Sequence, residues 1–305
     1  MYDILIIGAG PAGITCAIYG ARANLNVGII EKEAPGGKVL KTDEIENYPG
    51  FDNVKGIDLA SKMFEQCLKF GTEFLFGNVV KINNFDNYKE VILESGETYQ
   101  SKTVVIATGN DVKKMNVPNE DKFYAKGISY CAVCDGALYK DKDMFVIGGG
   151  NSALQEALFL TKFAKKVYLV HRRDEFRAEK HLVDKVKNNP KIELLLSYVP
   201  VSINGEDHVT SITLLNKKTS QEEVFATNVV FPFIGFEPKT EFLQNLDILD
   251  DKGYVIVNDK METKIKGIYS IGDVNSKPLR QITTAVSDGA TAAIEAEHYI
   301  QNELK

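Results

Sequence analysis

The chain has 305 residues, of which 44% are apolar and 26% charged, and its net charge is −6. This composition is typical of a globular protein with one or two cores, and the acidic balance argues against nucleic acid or an anionic membrane as partner. We identify no signal peptide, no transit peptide and no apolar run long enough to cross a bilayer. Four cysteines with only one close pair are typical of a reducing compartment, so we expect a cytoplasmic protein.

The chain opens with a predicted βαβ unit. Residues 3–7 form the apolar run of a buried parallel strand. A glycine-rich turn follows at residues 8–13, then a helix at 14–23 and a second strand at 27–30 that ends on Glu31. The turn has the pattern G-x-G-x-x-G, and strand, helix, second strand and acid follow it in register.

Each glycine of this turn has a physical role in binding a dinucleotide. Gly8 permits the tight turn, Gly10 lets the backbone approach a pyrophosphate, and Gly13 lets the helix pack closely on the strand. The N–H groups of the helix N-terminus face the phosphates. Glu31 lies where an acid would bind a ribose hydroxyl, so we predict a dinucleotide site rather than a bare structural turn.

The next predicted elements complete the first domain. Residues 34–38 and 43–50 read as irregular loops because of their Gly and Pro content. A helix is predicted at 57–70, paired short strands at 74–93, and an apolar strand at 103–107. Cys67 and Cys16 fall within predicted helices, and we interpret both as buried hydrophobic residues. The polar stretch that follows places a domain boundary near residues 112–116.

Cys131 and Cys134 are three positions apart and Asp135 follows them directly. A C-x-x-C pair favours a disulfide that opens and closes, and such motifs lower the pKa of one thiol. Half of a zinc site is the alternative, but the remaining cysteines and the four His residues lack ligand spacing. Asp135 is a candidate proton carrier, or alternatively a turn-forming residue before a glycine. We predict a redox pair and no metal.

A second βαβ unit repeats the first one 140 residues later. A strand at 144–147 leads into the glycine-rich turn at 148–153, a helix at 151–163 and a strand at 167–170. The distance from Gly8 to Glu31 equals that from Gly148 to His171, 23 residues in each case. The chain therefore contains two copies of one nucleotide-binding architecture.

The two copies differ at the end of the second strand. Glu31 is replaced by His171, and Arg172, Arg173 and Arg177 come next. Guanidinium groups would bind a 2′-phosphate that a carboxylate would repel, so the first site is predicted to bind FAD and the second NADPH. A solvated basic surface is the alternative for these arginines.

The remaining elements return the chain to the first domain. Alternating residues at 191–230 predict strands, and residues 231–238 a strand that ends in a Gly/Pro turn. The return is placed near residue 242. A short strand at 268–273 ends in Gly-Asp, and residues 283–301 form an Ala-rich helix.

These motifs, in this order, make the chain resemble the bacterial low-molecular-weight thioredoxin reductases from residue 1 to about residue 303. The resemblance implies an α/β fold of two doubly wound, Rossmann-like domains. An NADPH domain at 115–241, carrying the redox pair, would be inserted into an FAD domain at 1–114 and 242–305. It further implies a homodimer whose protein substrate is thioredoxin.

The resemblance also assigns site residues. The catalytic set would be Cys131, Cys134 and Asp135. The FAD site would comprise Gly8, Gly10, Pro11, Ala12, Gly13, Glu31, Gly36, Gly37, Lys38, Asn47, Gly272, Asp273, Arg280 and Gln281. The NADPH site would comprise Gly149, Gly150, Asn151, Ser152, His171, Arg172, Arg173 and Arg177.

The chain departs from the family pattern at four positions. Val133 stands where Thr is usual, Lys38 where Gln is frequent beside the flavin, Lys239 where Asn is common, and Gln155 where Glu is frequent. None of these changes removes a reacting group, although Lys38 could alter the electronics of the flavin.

The implied activity is electron transfer from NADPH through FAD and the cysteine pair to thioredoxin. By family analogy Cys131 would attack the partner while Cys134 lies nearer the flavin, and the inserted domain would rotate between two states. A ferredoxin-NADP reductase-like enzyme would lack the cysteine pair, and a dithiol oxidase would not need the arginines. A flavin-bound redox sensor without turnover is the alternative of another class.

Overall fold

The computed structural model describes residues 1–42 and 44–304; Asp43, in the second predicted loop, and Lys305, at the end of the predicted FAD domain, lie outside the described residues. The chain divides into two compact units. The first unit comprises Met1–Asp111 and Glu237–Lys305, and the second unit is Val112–Phe236.

The first part of the chain alternates strands and helices. Its helices are α1 (Pro11–Arg22) and α2 (Gly56–Lys69). Its strands are β1 (Tyr2–Ile7), β2 (Val27–Glu31), β3 (Glu44–Ile45), β4 (Val54–Lys55), β5 (Glu73–Phe76), β6 (Val79–Asn84), β7 (Lys89–Leu93), β8 (Thr98–Ile106) and β9 (Asn110–Val112).

The middle part of the chain contains three helices and eight strands among the described residues. The helices are α3 (Ala132–Asp135), α4 (Asn151–Leu160) and α5 (Lys180–Lys187). The strands are β10 (Asp143–Ile147), β11 (Lys166–His171), β12 (Ile192–Leu196), β13 (Tyr198–Gly205), β14 (Val209–Asn216), β15 (Gln221–Ala226), β16 (Val229–Pro232) and β17 (Phe236–Pro238). The last part adds β18 (Ile268–Ser270) and α6 (Ile282–Asn302).

A seven-stranded sheet organises the first unit, in the order β5-β2-β1-β8-β7-β6 with β18 also paired to β8. Strands β5, β2, β1, β8 and β18 run parallel to one another. Strand β7 pairs antiparallel with β8, and β6 pairs antiparallel with β7. The central strand β1 is fully buried from Ile4 to Ile6, as its continuous apolar run predicts for a sheet covered on both faces. Helices α1, α2 and α6 contribute to the core on one face of the sheet.

The second unit is built on a four-stranded parallel sheet in the order β12-β11-β10-β16. Strands β13, β14 and β15 form a separate antiparallel sheet. The two units share one local geometry at their first βα turn. Gly8 N–H donates to Ile30 O at 2.8 Å, and Gly148 N–H donates to Val170 O at 2.9 Å.

The units divide a few residues before the predicted boundaries. The predicted FAD domain extended to residue 114 and resumed at 242, whereas the first unit ends at Asp111 and resumes at Glu237. Residues after Pro238 already bond within the first unit, because Lys239 O accepts the Thr108 hydroxyl and Thr240 donates to Gly253 O.

Three local predictions need correction. The loop predicted at 34–38 is irregular only at 34–36, because Gly37 and Lys38 begin a 3₁₀ helix, Gly37–Lys41. Helix α4 ends at Leu160 and not at residue 163, because the N–H groups of Lys162 and Phe163 bond three residues back and tighten the last turn. Helix α5 was not predicted, since only Leu182 and Val186 of its eight residues are buried.

Candidate active site and nucleotide sites

The first glycine-rich turn has no room for side chains at two of its glycines. Gly8 has φ +108°, and a Cβ there would lie 2.5 Å from Ala107 O. A Cβ on Gly13 would overlap the Gly8 carbonyl oxygen, so the start of α1 packs against the turn itself. Around Gly10, by contrast, apart from its chain neighbours no atom of the described residues lies within 4 Å of an added Cβ. The turn therefore packs tightly on the protein side and is open at Gly10, as backbone approach by a ligand requires.

The N-terminus of α1 and the end of β2 supply complementary groups. Gly10 is the N-cap of α1, and no side chain caps this end. The N–H groups of its first turn are therefore available to an anion. The Glu31 carboxylate accepts the N–H groups of Ala9, Lys32 and Glu33 at 2.8–3.0 Å. These bonds fix the carboxylate and leave acceptor capacity for a hydroxyl.

The segment that holds Gly36 and Gly37 lies against this turn. Gly36 N–H donates to Ala9 O at 2.7 Å, and a Cβ on Gly37 would be 3.2 Å from Gly10 Cα. Both glycines have positive φ, +130° and +59°. The two glycine segments, distant in sequence, therefore form one surface at the carboxyl edge of the parallel sheet, where α/β proteins bind ligands.

Lys38 continues this surface with an ion pair. Its ammonium lies 2.5 Å from Asp273 Oδ2 and 2.6 Å from Asn110 Oδ1. Asp273 follows β18 and Asn110 follows β8, which are neighbouring parallel strands. Asn110 is 2% exposed, and its Nδ2 has no partner among the described residues. A buried donor without a partner beside a charged pair fits a polar ligand at this edge.

The remaining predicted FAD residues lie around the start of α6. Gln281 is the N-cap of α6, and its Oε1 accepts a hydrogen bond from Asn47 Nδ2 at 3.2 Å. Arg280 donates to the backbone oxygens of Asp273 and Asn275, and Gly272 N–H donates to Asp288. These contacts bring together Asn47, Gly272, Asp273, Arg280 and Gln281. The surface formed by the two glycine segments, the uncapped N-terminus of α1 and the buried Asn110 Nδ2 without a partner among the described residues together fit FAD.

The second glycine-rich turn matches the first one at two glycines, because Gly148 is crowded like Gly8 and Gly150 is open like Gly10. A Cβ on Gly148 would lie 2.5 Å from Phe233 O, and one on Gly149 would overlap the His171 ring. Gly150 is the uncapped N-cap of α4, and beyond its chain neighbours the structure describes no atom within 4 Å of an added Cβ. Asn151 is tied to Glu179 by two hydrogen bonds, and Ser152 is exposed at the first turn of α4.

His171 and the arginines take different positions on the loop after β11. His171 is buried, and one ring nitrogen lies 3.1 Å from Glu175 O. Burial lowers the pKa of His171 and the nearby arginines lower it further, while the contact with the Glu175 carbonyl raises it. Arg172, Arg173 and Arg177 are exposed, and no salt bridge involves them in the described part of the chain. Arg177 N–H donates to Gly149 O at 2.8 Å, which joins the arginine loop to the glycine turn.

The cysteine pair forms a disulfide on the short helix α3. Cys134 N–H donates to Cys131 Sγ at 3.2 Å, and Asp135 N–H donates to Cys131 O at 3.1 Å. Both cysteines and Asp135 are partly exposed, and the side chain of Val133 between them is 45% exposed. A disulfide within one helical turn, open to solvent, is placed to exchange with another disulfide.

The other two cysteines are buried thiols, as predicted. Burial raises the pKa of Cys16 to about 12 and that of Cys67 to about 11, so both are inert as nucleophiles. Across residues 1–42 and 44–304 no group of three or more His, Cys, Asp or Glu side chains is placed to hold a metal ion. The two sulfurs of the candidate zinc half-site are bonded to each other.

Two polar residues of these sites were not identified from the sequence. Ser129 donates to Asp135 Oδ2 at 2.5 Å, and Asn110 binds Lys38. Ser129 precedes the cysteine pair by two positions, and Asn110 follows an apolar strand and a glycine. Position next to a motif was the only available signal, because both roles depend on contacts made in the folded chain.

A redox disulfide together with two dinucleotide turns defines a class of α/β oxidoreductases. A family model described as pyridine nucleotide-disulphide oxidoreductase matches residues 2–289, and the chain belongs to this family. The chain is similar to the thioredoxin reductase of Bacillus subtilis, with 43% identity over 302 residues, 99% of this chain and 95% of that protein. It is 44% identical to the thioredoxin reductase of Mycoplasma pneumoniae over 295 residues, 96% of this chain and 94% of that protein.

Solved structures agree with these relatives. The crystal structure of thioredoxin reductase from Streptococcus pyogenes matches with a TM-score of 0.95 and 49% identity, covering 99% of this chain and 98% of that one. Thioredoxin reductase from Giardia duodenalis matches with a TM-score of 0.93 and 33% identity, covering 98% and 99%. The predicted α/β fold with two Rossmann-like domains is confirmed. None of the helices in the described residues is long and apolar enough to span a membrane.

Proposed function

We propose that the chain is a thioredoxin reductase, which transfers electrons from NADPH through FAD and the Cys131–Cys134 disulfide to the disulfide of thioredoxin. The observation that carries this proposal is the solvent-accessible disulfide beside Asp135, in a chain with two dinucleotide turns. The relatives named thioredoxin reductase support it, because they match almost the whole length of the chain.

The chain provides a separate site for each cofactor. FAD would be held in the first unit by the Gly8–Gly13 turn, Glu31, the Gly36–Lys38 segment and the residues around Asp273 and Gln281. NADPH would be held in the second unit by the Gly149–Ser152 turn, with its 2′-phosphate on the arginine loop. FAD, when bound, accepts a hydride from NADPH and supplies two electrons for the reduction of a disulfide.

The chain's own residues carry out the exchange with thioredoxin. Cys131, as thiolate, attacks one sulfur of the thioredoxin disulfide, which breaks that bond and forms a mixed disulfide. Cys134 then attacks Cys131 Sγ, re-forms the bond seen in the structure and releases thioredoxin as a dithiol. Asp135 is the proposed carrier of one proton in this exchange, since it lies on the same short helix as the pair.

We further propose that the chain acts as a homodimer in the cytoplasm. The family resemblance supports the dimer, and the two inert buried thiols beside one exchangeable pair support a reducing compartment. Light scattering of the purified protein measures the first property directly.

The Cys134→Ser variant tests the proposed electron path. Flavin reduction by NADPH should remain, because both nucleotide sites are intact, and thioredoxin reduction should be lost. Anaerobic titration with NADPH, followed in the flavin spectrum and then with thioredoxin added, measures both steps. Cys67→Ala, which removes a buried thiol, is the matched control. Turnover of thioredoxin by Cys134→Ser would refute the relay.

A further inference from the structure

We propose that Ser129 is the positioning residue of the dithiol site: its hydroxyl holds Asp135 in place in both protonation states of that acid. The proposal deepens the proposed function, because it concerns the proton carrier of the same reaction. It rests on three hydrogen-bonding contacts made by one buried hydroxyl.

The hydroxyl of Ser129 contacts both ends of helix α3, which carries the cysteine pair. Its Oγ lies 2.5 Å from Asp135 Oδ2, at the end of α3, and accepts the N–H of Cys131, at the N-cap of α3, at 3.1 Å. The carbonyl oxygen of Cys131 is a second acceptor, 3.3 Å away. Ser129 is only 7% exposed, so water cannot readily replace these contacts.

The backbone of Ser129 is fixed from the opposite side. Its N–H donates to Val230 O at 3.1 Å, and Val230 N–H donates to Gly127 O at 2.8 Å. Residues 127–129 therefore run beside β16, a buried strand of the parallel sheet. The Ser129 hydroxyl thus links both ends of the four-residue helix α3 to a segment that is fixed on the sheet.

A hydroxyl can satisfy both states of the acid because it has one donor and two acceptor sites. When Asp135 is ionised, Ser129 donates to the carboxylate and accepts the Cys131 N–H. When Asp135 is protonated, the acid donates to the second lone pair of Ser129, and the serine proton turns to Cys131 O. Every group keeps a partner while Asp135 gains or loses one proton. An alanine would leave Cys131 N–H and Asp135 without this partner.

Other titratable groups lie on the elements packed against α3, and the experiment separates them. Helix α4 carries Glu156, the 3₁₀ turn after α3 carries Tyr139, and Tyr130 donates its hydroxyl to Glu120. Removing Ser129 changes none of these side chains. A comparison made in an Asp135→Asn background therefore reports the contribution of Asp135 alone.

The measurement uses the reactivity of the dithiol itself. The holoenzyme is reduced with dithiothreitol, desalted anaerobically and mixed with 4,4′-dithiodipyridine from pH 5 to 9. One enzyme thiolate attacks the reagent disulfide and releases one thiopyridone; the second thiolate then releases the other and re-forms the Cys131–Cys134 bond. Comparison of the wild type with Asp135→Asn identifies the limb of the pH–rate profile that depends on Asp135, because that limb is absent from the variant.

In Ser129→Ala this limb should move to higher pH by roughly one unit, because the ionised carboxylate loses a hydrogen bond. Ser129→Thr, which keeps the hydroxyl, should restore the wild-type profile. Asp135→Asn and Asp135→Asn/Ser129→Ala should have the same profile as each other. Flavin reduction by NADPH should be unchanged in Ser129→Ala and Ser129→Thr.

Two results would overturn the proposal. One is a Ser129→Ala profile that superimposes on the wild type. The other is that Ser129→Ala changes the rate by the same factor in the Asp135→Asn background as in the wild type. This result would show that Ser129 does not act through the acid. The assay contains no thioredoxin, so a failure of the proposed function, seen as absent thioredoxin turnover by the wild type, is recorded separately.

Discussion

Lys38 shows how one residue can change the electrostatics of a nucleotide site. Its ammonium pairs with Asp273 and is held by the buried amide oxygen of Asn110. Both partners follow neighbouring parallel strands, at the carboxyl edge of the sheet, where FAD would bind. A carboxylate at this edge repels an anionic cofactor, and Lys38 offsets that repulsion. A neutral residue at position 38 would leave Asp273 uncompensated.

Lys38→Met should therefore weaken FAD binding. The Lys38 side chain is 45% exposed, so solvent screens part of the pair, and we expect the dissociation constant to rise by roughly 3- to 10-fold. Flavin fluorescence during titration of apoprotein measures it. Lys32→Met, at an exposed position in the same unit, should bind FAD as the wild type does. Equal affinity in Lys38→Met would show that the ion pair does not contribute.

At the scale of elements, regular periodicity was sufficient to predict most of the fold. The apolar runs of β1, β8, β10 and β11 and the glycine turns after β1 and β10 were predicted from residue order alone. Helix α5 was missed because two buried residues are too few to define a period. The glycine roles at the first turn also followed from the sequence, since they depend on local backbone geometry.

The unpredicted parts of the sites depend on long-range contacts. Lys38 meets Asp273 across 235 residues, and Asn47 meets Gln281 across 234 residues. The contact of the buried His171 ring with Gly149, 22 positions earlier, is a further example. Sequence order does not specify such distances, because they are determined by how strands and helices pack.

Helix α4 carries an unpaired acid on its partly buried side. Glu156 Oε2 has no partner among the described residues, and burial raises the pKa of this carboxyl. A pKa above the unfolded value of about 4.3 means that ionisation costs more in the folded state. The associated stability is present below that pH and is lost as pH rises through the folded pKa.

Glu156→Gln should therefore stabilise the second unit at pH 8 by about 1 kcal/mol, and the difference should vanish toward pH 4. Thermal melting across this pH range measures it, with a shift of about 2 °C expected at pH 8 for a chain of this size. Glu222→Gln, at an exposed position on β15, should show no such trend. A gap that widens as pH falls would contradict the assignment of Glu156 as a destabilising buried acid.

At the scale of the whole molecule, two copies of one architecture differ in the residues at the end of the strand that follows the glycine turn. The strand after the first glycine turn ends on Glu31, whose carboxylate is held by three backbone N–H groups. The equivalent strand of the second unit ends on His171, and the exposed guanidiniums of Arg172 and Arg173 follow. The first unit would repel a 2′-phosphate and the second would attract it.

Replacing Arg172 and Arg173 by Gln should lower kcat/KM for NADPH and leave the value for NADH nearly unchanged. Charge-assisted hydrogen bonds to phosphate contribute roughly 1.5–3 kcal/mol each, and exposure and salt reduce this, so we expect a loss of roughly 10²-fold. Steady-state kinetics at physiological salt measure both ratios. The matched control is Lys185→Gln/Lys187→Gln, which removes two exposed positive charges from α5 of the same unit. Bound flavin should be retained in both double variants, because the FAD residues lie in the other unit. If the wild-type enzyme had equal kcat/KM values for NADH and NADPH, the arginine loop could not be the determinant of cofactor choice.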